Sequence, residues 1–347
     1  MNTLNKKAKS VIVYAIMIVL LLLSILAACV IGTLDISFST VLSVIQEKLL
    51  KNGSSDTAPS ITYIIWDLRL PRSLMAIAVG GGLAVAGASM QSITRNVMAD
   101  PYVLGVSSGA LALVSVGYYF GGALTATSWF ISTLAFIGAM VSILVVFLIG
   151  GFSKTASAGR LVLSGMAVSI SLNAIAQLFI YLSSDSNKAS SIVSWMMGSL
   201  AGTRWDNLWI TFIGCILGTM FFIFKARAFD LIALGDETAI SLGTNTTSLK
   251  RCSLLVISII TGLSVASCGM IGLVGFVVPH IVRFIIGTEH RRLFPLVFIA
   301  GGIFLLWMDI LARTILSPQE VPIGVFTALI GGPFFIWMIK RNMKGRK

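Results

Sequence analysis

Residues 73–90 form a run of 18 amino acids without a formal charge, rich in glycine and alanine. Arg69 and Arg72 precede this run, and Arg95 and Asp100 follow it. Because about 20 helical residues cross the apolar part of a bilayer, a run of this length suits a spanning helix. Small side chains also let helix backbones approach one another closely. The pattern predicts a membrane-spanning helix packed among other helices.

The composition extends this prediction to the whole chain. Of the 347 residues, 56% are hydrophobic and only 11% are charged, whereas soluble domains carry roughly 25% charged residues. No polar stretch is long enough to build a core of its own, so we expect a single all-α transmembrane domain over residues 1–347. The net charge of +12 is better explained by a positive-inside bias than by a nucleic-acid partner, and no nucleic acid is expected.

The apolar runs predict about ten crossings of the lipid bilayer. They lie near residues 11–32, 69–91, 101–120, 128–150, 160–183, 206–225, 251–271, 278–287, 294–316 and 322–340. If the Lys-rich tails are cytoplasmic, 18 of the 25 lysines and arginines fall in cytoplasmic segments, as the positive-inside rule requires. We therefore expect a multi-pass membrane protein with both termini in the cytoplasm.

Three of the segments outside these crossings carry information. Residues 33–68 are predicted to form a long outer loop, and residues 184–206 a short helix at the outer surface. On the cytoplasmic side, Gly235 and Gly243 are expected to divide residues 225–251 into one or two short amphipathic helices. Such an element buries its apolar side against the membrane interface or against a partner protein, and both interpretations stay open at this point.

Eight sequence motifs follow one another along the chain. They are RLPR at 69–72, the Gly/Ala run, RNVMADPYVLGVSSGA at 95–110, RLVLSGMAVS at 160–169, SWMMGSLAG at 194–202, LGDETAISLG at 234–243, GMIGLVGFVVPHIVR at 269–283 and EVPIGVFTALIGGPFFIWM at 320–338. Together they resemble the permease subunits of ABC importers for iron–siderophores, haem and cobalamin, the FecCD-type family. The resemblance covers the chain from about residue 60 to its C-terminus.

This resemblance implies a type II ABC-importer permease fold and a set of partners. A second permease subunit, identical or paralogous, would pair with this chain, two ABC ATPase subunits would bind on the cytoplasmic side, and an extracytoplasmic substrate-binding lipoprotein would deliver the substrate. A ferric siderophore is the expected substrate, with haem and cobalamin as alternatives. Since the sequence has no GxxxxGK[ST] phosphate loop, this chain should not bind ATP itself. The resemblance therefore implies a permease in a bacterial cytoplasmic membrane with no enzyme activity, no metal site and no cofactor of its own, and with ATP and Mg on the partner ATPase.

The resemblance also implies that arginines on the outer face pair with carboxylates of the binding protein. The matching positions are Arg69, Arg72 and Arg313. Anchoring of helix ends at lipid head groups is the alternative role for arginines at such a rim. Arg313 could instead pair with Asp309, which lies one helical turn earlier on the same face.

On the cytoplasmic side, the resemblance implies that a segment at about residues 228–247 receives the ATPase. Its coupling residues would be Leu234, Gly235, Asp236, Glu237, Ala239, Leu242 and Gly243. A gate is expected at the start of the fifth crossing, where Ala158 and Gly159 stand in place of the hydroxyl residues common in relatives and predict an apolar constriction. On the same crossing, Asn173 and Gln177 could line the path or form interhelical hydrogen bonds.

An ion-coupled secondary transporter is the main alternative function. Such a carrier needs ionisable groups near the membrane midplane, usually at broken helices. Asp309 is the carboxylate that best fits this requirement, and the Gly-rich segment 269–281 could be a broken helix that ends at Pro279, or a close-packed helix junction. An intramembrane enzyme has little support, because His280 and His290 are the only histidines and no HExxH motif occurs.

Overall fold

The computed structural model describes residues 3–50, 57–150, 158–183 and 185–344, which form a bundle of helices. Its α-helices are α1 (Thr3–Val30), α2 (Phe38–Leu50), α3 (Pro59–Tyr63), α4 (Leu70–Thr94), α5 (Val106–Phe120), α6 (Ser128–Gly150), α7 (Ala158–Leu182), α8 (Ser186–Met196), α9 (Trp205–Leu234), α10 (Asp236–Ser241), α11 (Thr246–Cys268), α12 (Val274–Ile286), α13 (His290–Thr314) and α14 (Ile323–Lys344). A π-helical turn at Ile64–Arg69 leads into α4, and a 3₁₀ turn at Pro101–Leu104 leads towards α5.

Ten of these helices account for the predicted crossings. Within the described residues, α1, α4, α6, α7, α9, α11 and α13 are long and apolar enough to cross a membrane. The apolar helices α5, α12 and α14 are shorter, and they fall at the third, eighth and tenth predicted crossings. The expectation of an all-α protein with about ten transmembrane helices is confirmed.

The segments between the crossings are partly as predicted. The short helices expected in residues 184–206 and 225–251 are present as α8 and α10. The prediction of a loop for residues 33–68 was wrong, because α2 and α3 lie within it. Val41 and Val44 of α2 are fully buried against the end of α1, so their spacing of three residues was a helical signal.

The Gly-rich segment before α12 contains a break in the helix, but the helix that follows does not end at Pro279. Residues 269–273 are not helical, and α12 then continues through Pro279 to Ile286. A proline has no N–H, so the carbonyl of the residue four positions earlier loses its donor in the helix. That carbonyl belongs to Gly275, and the Gln91 side chain donates to it at 3.3 Å, which compensates for the proline.

Helix α4 lies at the centre of the bundle and contacts α9, α11, α12 and α13. Its glycines allow two of these contacts to be made between backbones. A Cβ added at Gly80 would lie less than 3 Å from the Gly301 carbonyl of α13, and one added at Gly87 would lie equally close to the Gly275 carbonyl of α12. The prediction of a spanning helix packed among others is confirmed, since almost all of α4 is buried.

Helices α4 and α13 run antiparallel, and their ends define the two ends of the bundle. At one end, Arg72 of α4 contacts Asp309 of α13, and we call this the Asp309 end. At the other end, Ser92 of α4 contacts His290 of α13, and α10 lies nearby. We call this second end the Asp236 end, and the positive-inside pattern predicts that it faces the cytoplasm.

Candidate functional site

The predicted coupling segment forms a short helix with a glycine at each boundary. Gly235 has a φ of +129° and Gly243 a φ of +84°, backbone conformations that residues with a Cβ rarely adopt. Between them, Ala239 is fully buried where α10 packs on α9. Glu237 is exposed in the first turn of α10. The glycines therefore fix both the length of α10 and its departure from α9.

Asp236, the first residue of α10, joins this helix to two others. Its Oδ1 lies 2.7 Å from Arg95 Nη2, at the end of α4, and its Oδ2 lies 2.6 Å from Lys250 Nζ on α11. Partial burial acts to raise the pKa of Asp236, but the hydrogen bond from Lys250 and the charges of Lys250 and Arg95 outweigh it and lower the pKa. A lowered pKa means that the carboxylate supports this arrangement at neutral pH and loses that effect only as the pH falls below the ordinary value of 3.8.

The surface around Asp236 mixes polar and apolar side chains. Its exposed large apolar side chains are those of Leu234, Ile240 and Leu242 beside α10, and of Val97 and Met98 on the turn after α4, with Glu237 exposed among them. We call these five residues the Asp236-end patch. Leu234 is 69% exposed, and Ile240 and Leu242 are each 59% exposed. Contiguous exposed apolar surface of this kind marks an interaction site.

The residues predicted to form a gate lie at the start of α7. Ala158 and Gly159 are its first two residues, and Gly159 is exposed. The preceding residues 151–157 lie outside the described part of the chain. Further along α7, Asn173 is half-buried and Gln177 is exposed. The roles of these four residues in the path stay predictions.

At the Asp309 end, Arg72 lies between two carboxylates. Its Nε donates to both carboxylate oxygens of Asp309, at 2.9 and 3.1 Å, and its Nη atoms donate to Glu320 at 2.9 and 3.0 Å. Asp309 is only 2% exposed, whereas 38% of the Glu320 side chain is exposed. Forked contacts between a guanidinium and a carboxylate are among the strongest polar contacts in proteins.

Arg69 and Arg313 hold the end of α1. Their Nη atoms donate to main-chain carbonyls at 2.6–2.9 Å. The acceptors are the carbonyls of Ala28, Cys29, Val30 and Leu34. The last carbonyls of a helix have no partner within it and carry partial negative charge, so two arginines here satisfy and stabilise the buried end of α1.

The three arginines predicted to dock a binding protein are therefore buried and have partners within the chain. The pairing of Arg313 with Asp309 is confirmed, with 3.7 Å between Nε and Oδ2. A role of Arg69, Arg72 and Arg313 in docking stays a prediction. Asp309, the carboxylate that best fitted an ion-coupled carrier, contacts two arginines at one end of the bundle.

A further polar cluster at the Asp236 end was missed by the sequence reasoning. Asp230 Oδ1 lies 2.7 Å from His290 Nδ1 and 2.9 Å from the His290 backbone nitrogen, and Ser92 Oγ lies 2.7 Å from His290 Nε2. His290 is 4% exposed. These residues come from α4, α9 and α13, far apart in sequence, so no local spacing could have indicated the cluster.

Residues 105–109 read G-x-S-x-G, the pattern of a hydrolase nucleophile turn. That turn joins a strand to a helix, whereas Ser107 lies in the first turn of α5 in a part of the chain described without strands. The motif therefore lacks the structural context that an enzyme would require. The described residues also hold no group of three His, Cys, Asp or Glu side chains placed to bind a metal.

Comparison with known proteins decides which family this architecture represents. The profile of the FecCD transport family matches residues 19–341. The chain belongs to the FecCD transport family. Its fold is that of a type II ABC-importer permease, a membrane transport subunit with many crossings.

Individual relatives agree with this family. The hemin transport system permease protein HmuU of Yersinia pestis is 35% identical, with 99% of each chain covered. The iron(3+)-hydroxamate import system permease protein FhuB of Bacillus subtilis is 36% identical over 81% of this chain and 72% of its own length. Among solved structures, a metal-chelate type ABC transporter in an inward-facing conformation superposes with a TM-score of 0.81 at 29% identity, covering 94% of this chain and 97% of the other.

Proposed function

We propose that this chain is the permease subunit of an ABC importer that moves a ferric siderophore across the plasma membrane. Membership of the FecCD family and the likeness to a metal-chelate type transporter support this function. The relative named for iron(3+)-hydroxamate favours a siderophore. The relative named for hemin makes haem the second candidate.

The Asp236-end patch is the observation within the chain that carries the proposal. We place two ABC ATPase subunits beneath a pair of permeases, each ATPase covering one patch, with the termini on the same, cytoplasmic side. The coupling residues are those predicted from the sequence, and Val97 and Met98 extend their surface. Because Arg95 and Lys250 hold Asp236, a push on α10 is transmitted to α4 and α11 rather than absorbed by a loose loop.

At the Asp309 end, we place the site where a substrate-binding protein docks. Arg72 is the arginine whose partner reaches the surface, since the Glu320 side chain is 38% exposed. A carboxylate of the binding protein could replace Glu320 on the guanidinium while Asp309 keeps its own contact. Arg69 and Arg313 would support this surface from below by fixing the end of α1. Complementary charge at such a rim steers encounter and sets orientation.

Reconstitution in proteoliposomes tests this function. The chain would be combined with a partner permease, an ATPase and a binding lipoprotein from the same organism, and uptake of ferric hydroxamate, ferric citrate and haem would be measured. We expect ATP-dependent uptake of a ferric siderophore that requires the binding protein. Uptake of haem alone would move the assignment to the second candidate. Undiminished uptake without the ATPase would instead support an ion-coupled carrier and contradict the ABC importer.

A substitution in the Asp236-end patch tests the ATPase contact. Leu242→Ser removes an exposed apolar side chain and should weaken co-purification of the ATPase by about tenfold, since burying a leucine at an interface contributes ~1.5–3 kcal/mol. Leu124→Ser is the matched control, because Leu124 is also 59% exposed but lies at the opposite end of the bundle. Equal ATPase recovery with both variants would place the contact elsewhere.

A further inference from the structure

Ser92, Asp230 and His290 join the ends of three helices, and we call them the His290 joint. His290 is the first residue of α13, so its backbone N–H has no acceptor within that helix. Asp230 supplies one at 2.9 Å while it also binds the ring at Nδ1. The rings of Phe229 and Phe294 pack against the imidazole, with centroids 5.6 and 5.2 Å away. The joint is thus an oriented polar contact around a buried imidazole, with 36% of the Asp230 side chain exposed to solvent.

The joint lies one helical turn from the proposed ATPase contact on two separate helices. Asp230 precedes Leu234, the last residue of α9, by four positions, and α10 begins two residues later. Ser92 precedes Arg95, the partner of Asp236, by three positions. A displacement of α10 would therefore reach His290 through Asp230, and would reach α4 through Arg95.

From the joint, α13 extends to the Asp309 end in close contact with α4. Each of these helices has 25 residues, a length of about 37 Å. The pair is fastened near both ends, by Ser92–His290 and by Arg72–Asp309. Between the ends, the backbones meet at Gly80 and Gly301. This arrangement favours motion of α4 and α13 as one rigid unit.

We propose that His290 is a positioning residue for transport, whose bond from Nδ1 to Asp230 orients the end of α9, and with it the ATPase-docking segment, on the α4–α13 unit against which α9 also packs. Through this bond and that packing, movement of α10 displaces the Asp309 end, where the binding protein delivers its substrate. The bond to Ser92 lies inside the α4–α13 unit and adds only to its stability. The proposal rests on the function proposed above, because it requires an ATPase at α10.

Two substitutions of His290 separate its bonds. The Nδ2 of an asparagine reaches the position of Nδ1, whereas the Nε2 of a glutamine reaches that of the ring Nε2. His290→Asn should therefore keep the contact with Asp230, and His290→Gln should keep the contact with Ser92. In His290→Gln the backbone N–H of residue 290 still binds Asp230, and 36% of the Asp230 side chain is exposed to solvent. In reconstituted complexes we therefore expect substrate uptake per ATP hydrolysed to fall about threefold to fivefold in His290→Gln, and by less than about 1.5-fold in His290→Asn.

Two substitutions of Asp230 provide a second, independent pair of variants if His290→Gln does not fold. The side-chain oxygen of Asp230→Asn can still accept from Nδ1, so this variant should remain coupled. Asp230→Ala removes the acceptor of both Nδ1 and the His290 backbone N–H, so its loss of coupling should be at least as large as that of His290→Gln. Glu289→Gln is the matched control, because Glu289 forms an exposed ion pair with Arg292 on the same helical turn, 3.1 Å between Oε2 and Nε. Its uptake per ATP should equal that of the unsubstituted chain.

The outcomes distinguish this proposal from the function on which it rests. If the unsubstituted complex shows no ATP-dependent uptake, the proposed function fails and the role of His290 fails with it. If the unsubstituted complex is coupled and His290→Gln or Asp230→Ala transports equally well per ATP, only the role of His290 is refuted. Equal losses in His290→Asn and His290→Gln would show that the cluster merely stabilises the fold.

Discussion

Asp309→Asn is expected to destabilise the protein by about 3–5 kcal/mol, the usual effect of removing one partner from a buried ion pair. Asp309 is 2% exposed and is the carboxylate that both Arg72 and Arg313 contact. Without its charge, two buried guanidinium groups face each other with only Glu320 to compensate for one of them. Thermal midpoints of the purified chain in one detergent would measure the effect, and we expect a large fall.

Glu320→Gln provides the control for that substitution. Glu320 binds the same arginine at a similar distance, but 38% of its side chain is exposed. Contacts of exposed charges contribute only about 0–1 kcal/mol because solvent screens them. The midpoint should therefore change little in Glu320→Gln. Similar small shifts in both variants would mean that the Asp309 end is open to water and that its charges are not needed for folding.

The two arginine contacts of Asp309 show what the sequence could and could not reveal about the Asp309 end. The contact between Asp309 and Arg313 follows from a spacing of four residues on one helix, and the structure confirms it. The contact between Asp309 and Arg72 joins residues 237 positions apart. Local periodicity carries no information about such a pair, so burial of Arg72 could not be predicted. The same holds for His290 and Asp230.

The helices were more accessible to prediction than the site. The uncharged, glycine-rich run correctly indicated α4 and its packing, because bilayer thickness and backbone approach restrict composition directly. Gly235 and Gly243 likewise indicated α10, since positive φ values favour glycine. Pro279 was misleading for a physical reason. Its cost to α12 is offset by Gln91, a residue of another helix, and sequence near the proline cannot show that partner.

The arginines illustrate how a motif can be located correctly and still be incompletely understood. The family resemblance suggested that they form a rim facing another protein. The structure shows that Arg69 and Arg313 donate to the final carbonyls of α1. A helix end that is buried needs such donors, but nothing in the sequence shows which helix ends are buried. An arginine that docks a partner must be accessible, whereas one that donates to a buried helix end is not. Only the tertiary structure shows which residues are accessible.

Gly87→Ala is expected to have the second large effect, because it forces two helix backbones apart. The added Cβ would lie less than 3 Å from the carbonyl carbon, carbonyl oxygen and Cα of Gly275. These are main-chain atoms near the start of α12, and Gln91 holds the same carbonyl, so α12 cannot yield by a side-chain rotation. Overpacking of this kind typically costs about 1–3 kcal/mol, and we expect the upper part of that range.

Gly332→Ala is the matched control for this close approach. Gly332 is also helical, within α14, and a Cβ added there meets no atom within 4 Å in the chain. Alanine favours a helix by up to about 1 kcal/mol over glycine, so this variant should melt at the same temperature or slightly higher. Gly87→Ala should melt well below both. If the two variants melted together, α4 and α12 would not be in backbone contact at Gly87 and Gly275.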